Sequence, residues 1–246
     1  MKILVCITHV PDTTSKISFT NNKEFNKDGV QFVIGPYDEY ALSKAVDLKA
    51  SLNAEVTVLN VGLSDADASL RKALAIGADK AVRIDAFPKD SFFVASQIAE
   101  YAKDKNFDLI LMGRESIDFN GGMVHAMVGE LLSIPSVSPI MKLDIVQDKA
   151  SVSREVEGGK EILMLNFPFV AGCQEPIAEW KIPTMKGIMT AKSKPLEVIK
   201  PITCDENLTI EYIYFELPPP KKGCQMIDAS EPEKLVYLLK NEAKVI

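Results

Sequence analysis

Residues 108–124 read DLILMGRESIDFNGGMV. The apolar run inside Asp108–Gly113 is too short for a helix and suits a strand buried on both faces. It passes into a polar loop broken by glycines. Met123–Leu132 follows, with apolar residues three and four apart, as on one face of a helix. Strand, loop and helix make half of a parallel crossover unit, and outward from here the unit repeats. Residues 3–8, Glu55–Val61, the short Ala81–Ile84 and the weaker Ser136–Ile140 read as further strands. Tyr37–Leu52, Asp65–Ile76 and Phe92–Lys105 read as helices. Strands alternating with helices imply right-handed crossovers, hence an α/β fold with a parallel sheet and flanking helices.

Two stretches break the rhythm. From His9 to Gly35 there is no helical pattern; Ile17–Phe19 and Val30–Ile34 flank a polar turn and read as an inserted β-hairpin. A connection this long is usually functional or faces a partner. After Ile140 the pattern becomes alternating. Leu143–Gln147, Ser151–Val156 and Lys160–Phe167, with Glu157-Gly158-Gly159 as a turn, suit extra antiparallel strands at the sheet edge. Beyond Cys173 the chain turns rich in proline and lysine, and it closes on a helix expected over Glu233–Lys244. Ser230 and Glu233 have capping-box spacing. The division expected is a nucleotide-binding α/β domain over 1–175 and, over 176–246, an extended arm with a terminal helix contacting a partner subunit.

The 246 residues are 47% hydrophobic, enough for a real core, and 25% charged with a net charge of −6. That balance excludes nucleic acid as the main ligand, which calls for a basic footprint. No apolar run approaches the roughly 20 residues that span a bilayer, so no direct membrane insertion is expected. The opening MKILVCI reads as a strand, since no small-residue cleavage site follows it. Cys6, Cys173, Cys204 and Cys224 are scattered without CxxC or metal spacing, as suits reduced thiols in a cytoplasmic protein.

Open α/β sheets bind ligands beyond the carboxyl ends of their strands, where strand order reverses. Thr8–Asp12, Asn60–Asp65 and Gly113–Val124 leave such ends. In the last, Asn120-Gly121-Gly122 precedes a helix. Glycines there admit a phosphate to backbone N–H groups, and the helix start favours its charge. A plain turn has the same pattern. There are only two histidines, His9 and His125, and His125 is expected at the surface. No nucleophile elbow and no GxxxxGK phosphate loop occurs. The residues favour binding over acid–base catalysis.

Three ordered segments carry a resemblance: LRKALAIGAD at 70–79, VSREVEGGKE at 152–161 with Pro168 downstream, and IPTMKGIMTAK at 182–192. Together, and over nearly the whole length, the chain resembles the electron transfer flavoprotein β-subunit family. The resemblance implies a Rossmann-like fold of the adenine-nucleotide α-hydrolase-like kind. It implies a heterodimer whose α subunit carries FAD, fed by acyl-CoA or related dehydrogenases, with no catalysis by the β subunit alone. AMP or a second FAD would sit in this chain. By resemblance that site draws on Cys6, Gly35, Pro36, Tyr37, Asp38 and Val61. The loop adds Gly113, Arg114, Glu115, Ser116, Ile117, Asp118, Phe119, Asn120, Gly121, Gly122, Met123 and Val124. Tyr37 would approach the partner's flavin. Met185 would dock onto dehydrogenases, with Lys186, Lys192 and Lys194 steering the encounter. The chain departs from the family at Gly121–His125, which matches neither the N-Q-T-G nor the A-Q-V-G form, and at Gly35, where asparagine is usual. The rival readings are an ATP-using enzyme, disfavoured by Thr8-His9-Val10-Pro11 where such enzymes carry a glycine-rich loop, and a stand-alone nucleotide-binding protein, which needs neither long hairpin nor arm.

Overall fold

β1 (Lys2–Cys6) sends Ile3 and Val5 to one face of a sheet and Leu4 and Cys6 to the other, and all four are buried. A strand covered on both faces belongs at a sheet centre. β1 pairs in parallel with β6 (Glu55–Gly62) on one side and β8 (Leu109–Gly113) on the other. β7 (Lys80–Asp85) extends the sheet beyond β6, and β12 (Phe169–Cys173) extends it beyond β8, both in parallel. β9 (Ser136–Val146) joins β12 in parallel, and β10 (Lys149–Val156) and β11 (Gly159–Asn166) complete that side as an antiparallel meander. With β13 (Leu196–Ile199) on β7, the nine strands run β11-β10-β9-β12-β8-β1-β6-β7-β13. This is the mostly parallel α/β sheet that the sequence pattern demands. The computed structural model describes residues 1–204, 210–221 and 223–246.

Two apolar clusters fill the two faces. α1 (Pro36–Leu52) and α2 (Asp67–Ile76) bury Ala41, Leu42, Leu70 and Leu74 against Ile3 and Val5. α3 (Ser91–Ala102) and α4 (Val124–Leu132) bury Phe93, Ile98 and Val128 against Leu4 and Ile110. Asp90 caps α3 by accepting from Phe93 N at 2.8 Å, the side-chain oxygen of an N-cap satisfying an otherwise orphaned donor.

Several expectations are corrected. Val30–Ile34 does not pair with Ile17–Phe19. Instead β5 (Phe32–Ile34) pairs with β2 (His9–Pro11), because that register buries Val10 and Ile34 and stacks His9 on Phe32 at 4.9 Å. Ser136–Ile140 and Leu143–Gln147 are one strand, β9, bent by a register shift near Ile140. Part of the Pro- and Lys-rich segment returns to the sheet: α5 (Met185–Ala191) packs on α2, and β13 follows it.

By contacts the chain divides into two compact units, 1–17 with 27–212, and 18–26 with 213–246. In the second, β3 (Phe19–Thr20) pairs with β4 (Glu24–Phe25) around Asn21 and Asn22, both at positive φ, which asparagine tolerates. Phe19 stacks on Phe215 at 4.9 Å. α6 (Pro232–Leu238) runs on into a π-turn over Leu239–Ala243 and buries no side chain. The expected capping box does not form: Pro232 starts the helix behind Glu231, and the Ser230 hydroxyl is committed to Asp228 at 2.6 Å. Among the described residues no helix is long and apolar enough to cross a membrane.

Leu111 sits in β8 with no exposed surface. Leu111→Ala is expected to lower unfolding free energy by about 3 kcal/mol, the lost transfer energy plus a cavity. Urea denaturation should show a lower midpoint with the slope unchanged; a loss under about 1 kcal/mol would mean that the site collapses around the gap.

Candidate functional site

From β1 the chain steps to β6 and β7 on one side, then crosses to β8 on the other. Strand order therefore reverses between β1 and β8, and the crevice beyond their carboxyl ends is where ligands bind in such sheets. Thr8 leaves β1 there, Gly113 ends β8, and α1 begins with Pro36 at its first position.

Asp38, in the first turn of α1, ties these three elements together. One carboxylate oxygen accepts from Thr8 N at 2.8 Å and Thr8 Oγ1 at 2.6 Å; the other accepts from Gly113 N at 2.7 Å. The carboxylate lies so close that a Cβ on Gly35 would stand 2.6 Å from Asp38 Oδ2, and one on Gly113 would stand 2.6 Å from Asp38 Oδ1. The Thr8 hydroxyl would crowd the first and Tyr37 Cβ the second as closely, so both glycines are required by the tight packing around the carboxylate and not by a turn. Burial pushes the Asp38 pKa up to about 6; the hydrogen bonds from Thr8 and Gly113 oppose this without cancelling it, and the nearby Asp118 charge adds to it.

Arg114 follows. Its guanidinium lies 4.7 Å from the Tyr37 ring centroid, donates to Gln174 Oε1 at 2.9 Å and meets Glu115 at 3.2 Å. Tyr37 and Arg114 thus brace each other by a cation–π contact at the crevice mouth. The loop beyond closes on itself. Ser116 and Gly121 exchange backbone bonds at 3.1 and 3.2 Å, the Asp118 carboxylate takes the Ser116 hydroxyl and Phe119 N, and Phe119 stacks on Tyr212 at 5.2 Å. Asn120 turns the chain at φ 55°, and Ile117 lies within the closed loop. Gly121 and Gly122 stand apart from the other glycines of the site. A Cβ there would meet nothing nearer than 3.6 and 3.4 Å, and neither residue has positive φ. The protein's own packing does not require glycine at either place. Met123 caps α4 without a side-chain acceptor, so the first amides of α4 have no intrahelical acceptor.

The structure thus gathers Gly35, Pro36, Tyr37, Asp38, Gly113, Arg114 and Glu115 around one carboxylate and one guanidinium, with Ser116–Val124 as the adjoining loop and helix start. Cys6 and Val61 lie on the α3–α4 face of the sheet, buried, and burial pushes the Cys6 thiol well up. Met185 stands apart on α5, 77% exposed. His125 is not a surface residue. It is half-buried, its ring filling the space above Gly172 and Ser138, and burial lowers its pKa. Thr8 and Gln174 carry no motif, and only the tertiary arrangement reveals them. Among the described residues no group of three or more metal-binding side chains occurs.

The electron transfer flavoprotein domain family matches residues 24–203. Over the full length of both chains, this one is 36% identical to the electron transfer flavoprotein subunit beta of Bacillus subtilis (strain 168). The chain belongs to the electron transfer flavoprotein β-subunit family. It is also 34% identical, over 100% of this chain and 98% of the relative, to the subunit beta of Syntrophomonas wolfei. A third relative, 31% identical over 97% of each chain, is the acryloyl-CoA reductase electron transfer subunit gamma of Anaerotignum propionicum. Within the family fold, Asp38 offers a direct test of the crevice.

A folded-state pKa near 6 lies above the ordinary carboxylate value of about 3.9. The folded state then holds the extra proton between these values. The contribution is fully present below about pH 4 and is lost as pH rises through 6, on the order of 2–3 kcal/mol in all. In Asp38→Asn the amide NH2 must face Thr8 N–H or Gly113 N–H, so the variant is less stable throughout. Its deficit against wild type should shrink from pH 4 to pH 7. Chemical denaturation at several pH values measures this, and a deficit that is constant or grows with pH contradicts the assignment.

Proposed function

We propose that this chain is the β subunit of a heterodimeric electron transfer flavoprotein that holds a nucleotide at the reversal point of its sheet and docks through α5 onto acyl-CoA-type dehydrogenases. The observation that carries the nucleotide reading is the pair Gly121 and Gly122, glycines with no internal cause, set directly before the uncapped start of α4. The Thr8 and Gly113 amides are already taken by Asp38, so a phosphate fits α4 and not the β1 tip. Gly122, Met123 and Val124 would hold it, with Arg114 as the nearby cation. An FAD there would carry electrons, whereas an AMP would only brace the subunit.

The partner reading rests on surfaces. In the smaller unit Ile213, Tyr214, Leu217 and Met226 are exposed, and α6 buries nothing. Exposed large apolar side chains concentrated in one small unit suit an interaction site, here for the FAD-carrying α subunit. On α5, Met185 and Met189 are exposed beside Ile182, and the adaptable methionine side chain suits several partners. The Anaerotignum relative is named for an acryloyl-CoA reductase, and acryloyl-CoA is an acyl-CoA, which agrees with dehydrogenases of that class. Lys186 and Lys192 would steer the encounter. Lys194 would not: its ammonium donates to the carbonyls of Leu74 and Ala78 at 2.9 and 2.6 Å. A cytoplasmic location follows from the same reading.

Co-expression with the α subunit is expected to yield a one-to-one heterodimer, and this chain alone should hold no FAD. Cofactor analysis of the complex reads the nucleotide: one FAD with one AMP, or two FAD. A stable yellow monomer with no affinity for the α subunit would end the proposal.

Gly122→Asp should strip nucleotide from the heterodimer, because a carboxylate would oppose the phosphate where N–H groups should meet it. Nucleotide retained at the wild-type level, with the fold intact, would reduce residues 113–124 to a surface turn.

A further inference from the structure

The segment bearing Met185 is fixed to the α1–α2 layer at both ends. At its start, Trp180 Nε1 donates to the Glu39 carboxylate, which also takes Lys72. Lys181 N donates to Ser43 Oγ at 3.2 Å, and Lys181 Nζ meets Asp47 at 2.8 Å. At its end, Arg71 on α2 donates from Nη1 to the carbonyls of Ala191 and Lys194, both at 2.8 Å. In the middle, Thr184 caps α5 by accepting from Gly187 N at 3.0 Å. Gly187 lies so close to α2 that a Cβ there would stand 2.2 Å from Ala75 O. Between these anchors Ile182, Met185 and Met189 are 69, 77 and 72% exposed.

A surface loop that must order itself on binding loses affinity to that ordering, and one held beforehand does not. Arg71 is the strongest single anchor, since one charged group satisfies two carbonyls just past the last turn of α5. We propose that Arg71 is a positioning residue for docking: by holding the carbonyls of Ala191 and Lys194 it fixes the pose in which α5 presents Met185 and Met189. The proposal rests on the reading of α5 as the dehydrogenase docking element. Gly187 serves the same end by letting α5 seat on the backbone of α2.

The test uses the assembled heterodimer with a reduced short-chain acyl-CoA dehydrogenase as donor. Arg71→Met is expected to raise KM for the dehydrogenase about fivefold, the cost of ordering a few side chains on binding, while the rate at saturation changes less. Arg71→Lys, whose ammonium can reach the same carbonyls, should recover part of this. Gly187→Ala should reproduce the loss without touching a charge. Amide exchange in Arg71→Met should quicken over residues 182–192 and not across the sheet. Met185→Ala tests the underlying reading separately. An unchanged KM in Met185→Ala removes the docking reading and this proposal with it. A raised KM in Met185→Ala with an unchanged KM in both Arg71→Met and Gly187→Ala overturns only the positioning role. So does faster exchange throughout the sheet in Arg71→Met, which would make Arg71 a general stabiliser. Arg71→Met should also add little when combined with Met185→Ala, because a misplaced anchor has nothing left to present; full additivity counts against the proposal.

Discussion

One buried carboxylate decides the geometry of the crevice. Asp38 takes the free N–H of Thr8 at the end of β1 and of Gly113 at the end of β8, the two strands between which strand order reverses. Unpaired, either amide would cost about 1–3 kcal/mol beneath the covering helix. The packing of Thr8, Tyr37 and the carboxylate leaves room only for glycine at positions 35 and 113, and Tyr37 lies against Arg114. The carboxylate also bears on where the proposed phosphate could go. The amides that open the first loop are consumed within the protein, and those of α4 are left.

The same economy shapes α5. Two long cations beneath it are turned inward onto carbonyls: Lys194, just beyond α5, onto the end of α2, and Arg71 of α2 onto the end of α5. Cations suit helix carboxyl ends, where the unpaired carbonyls carry partial negative charge. With these two charges occupied beneath, the outward surface mixes the apolar Met185 and Met189 with the exposed Lys186 and Lys192.

The sheet was legible because strands buried on both faces leave continuous apolar runs, as in DLILMG, and helices beside them keep a regular period. Pairing was not. Ile17–Phe19 and Val30–Ile34 bracket a polar turn as a hairpin would, but Ile34 and Val10 are buried only when β5 meets β2. β13 was hidden because it forms by joining residues 196–199 to 81–84, a contact with no local signature. In the site, the glycines of the 113–124 loop stood out in the chain while Gly35 and Asp38 entered only through the family resemblance, and nothing local told Gly113, crowded by Asp38 and Tyr37, from Gly122, which nothing internal requires. Thr8 and Gln174 act through neighbours 30 and 60 residues away. His125 looked like a surface position because it falls early in a helix; the absence of a side chain on Gly172 makes the room that draws it in.

The chain has a single tryptophan, Trp180, half exposed at the root of the α5 segment with its indole N–H on Glu39. Indole emission shifts with the polarity and hydrogen bonding around the ring. This subunit therefore carries its own optical label at the foot of the surface proposed above for docking. On the docking proposed above, a dehydrogenase over Ile182 and Met185 would exclude water beside that ring, and a loosened segment would free the indole from its carboxylate. Both events change the surroundings of the single indole, so its emission follows this segment in solution without a dye and without turnover.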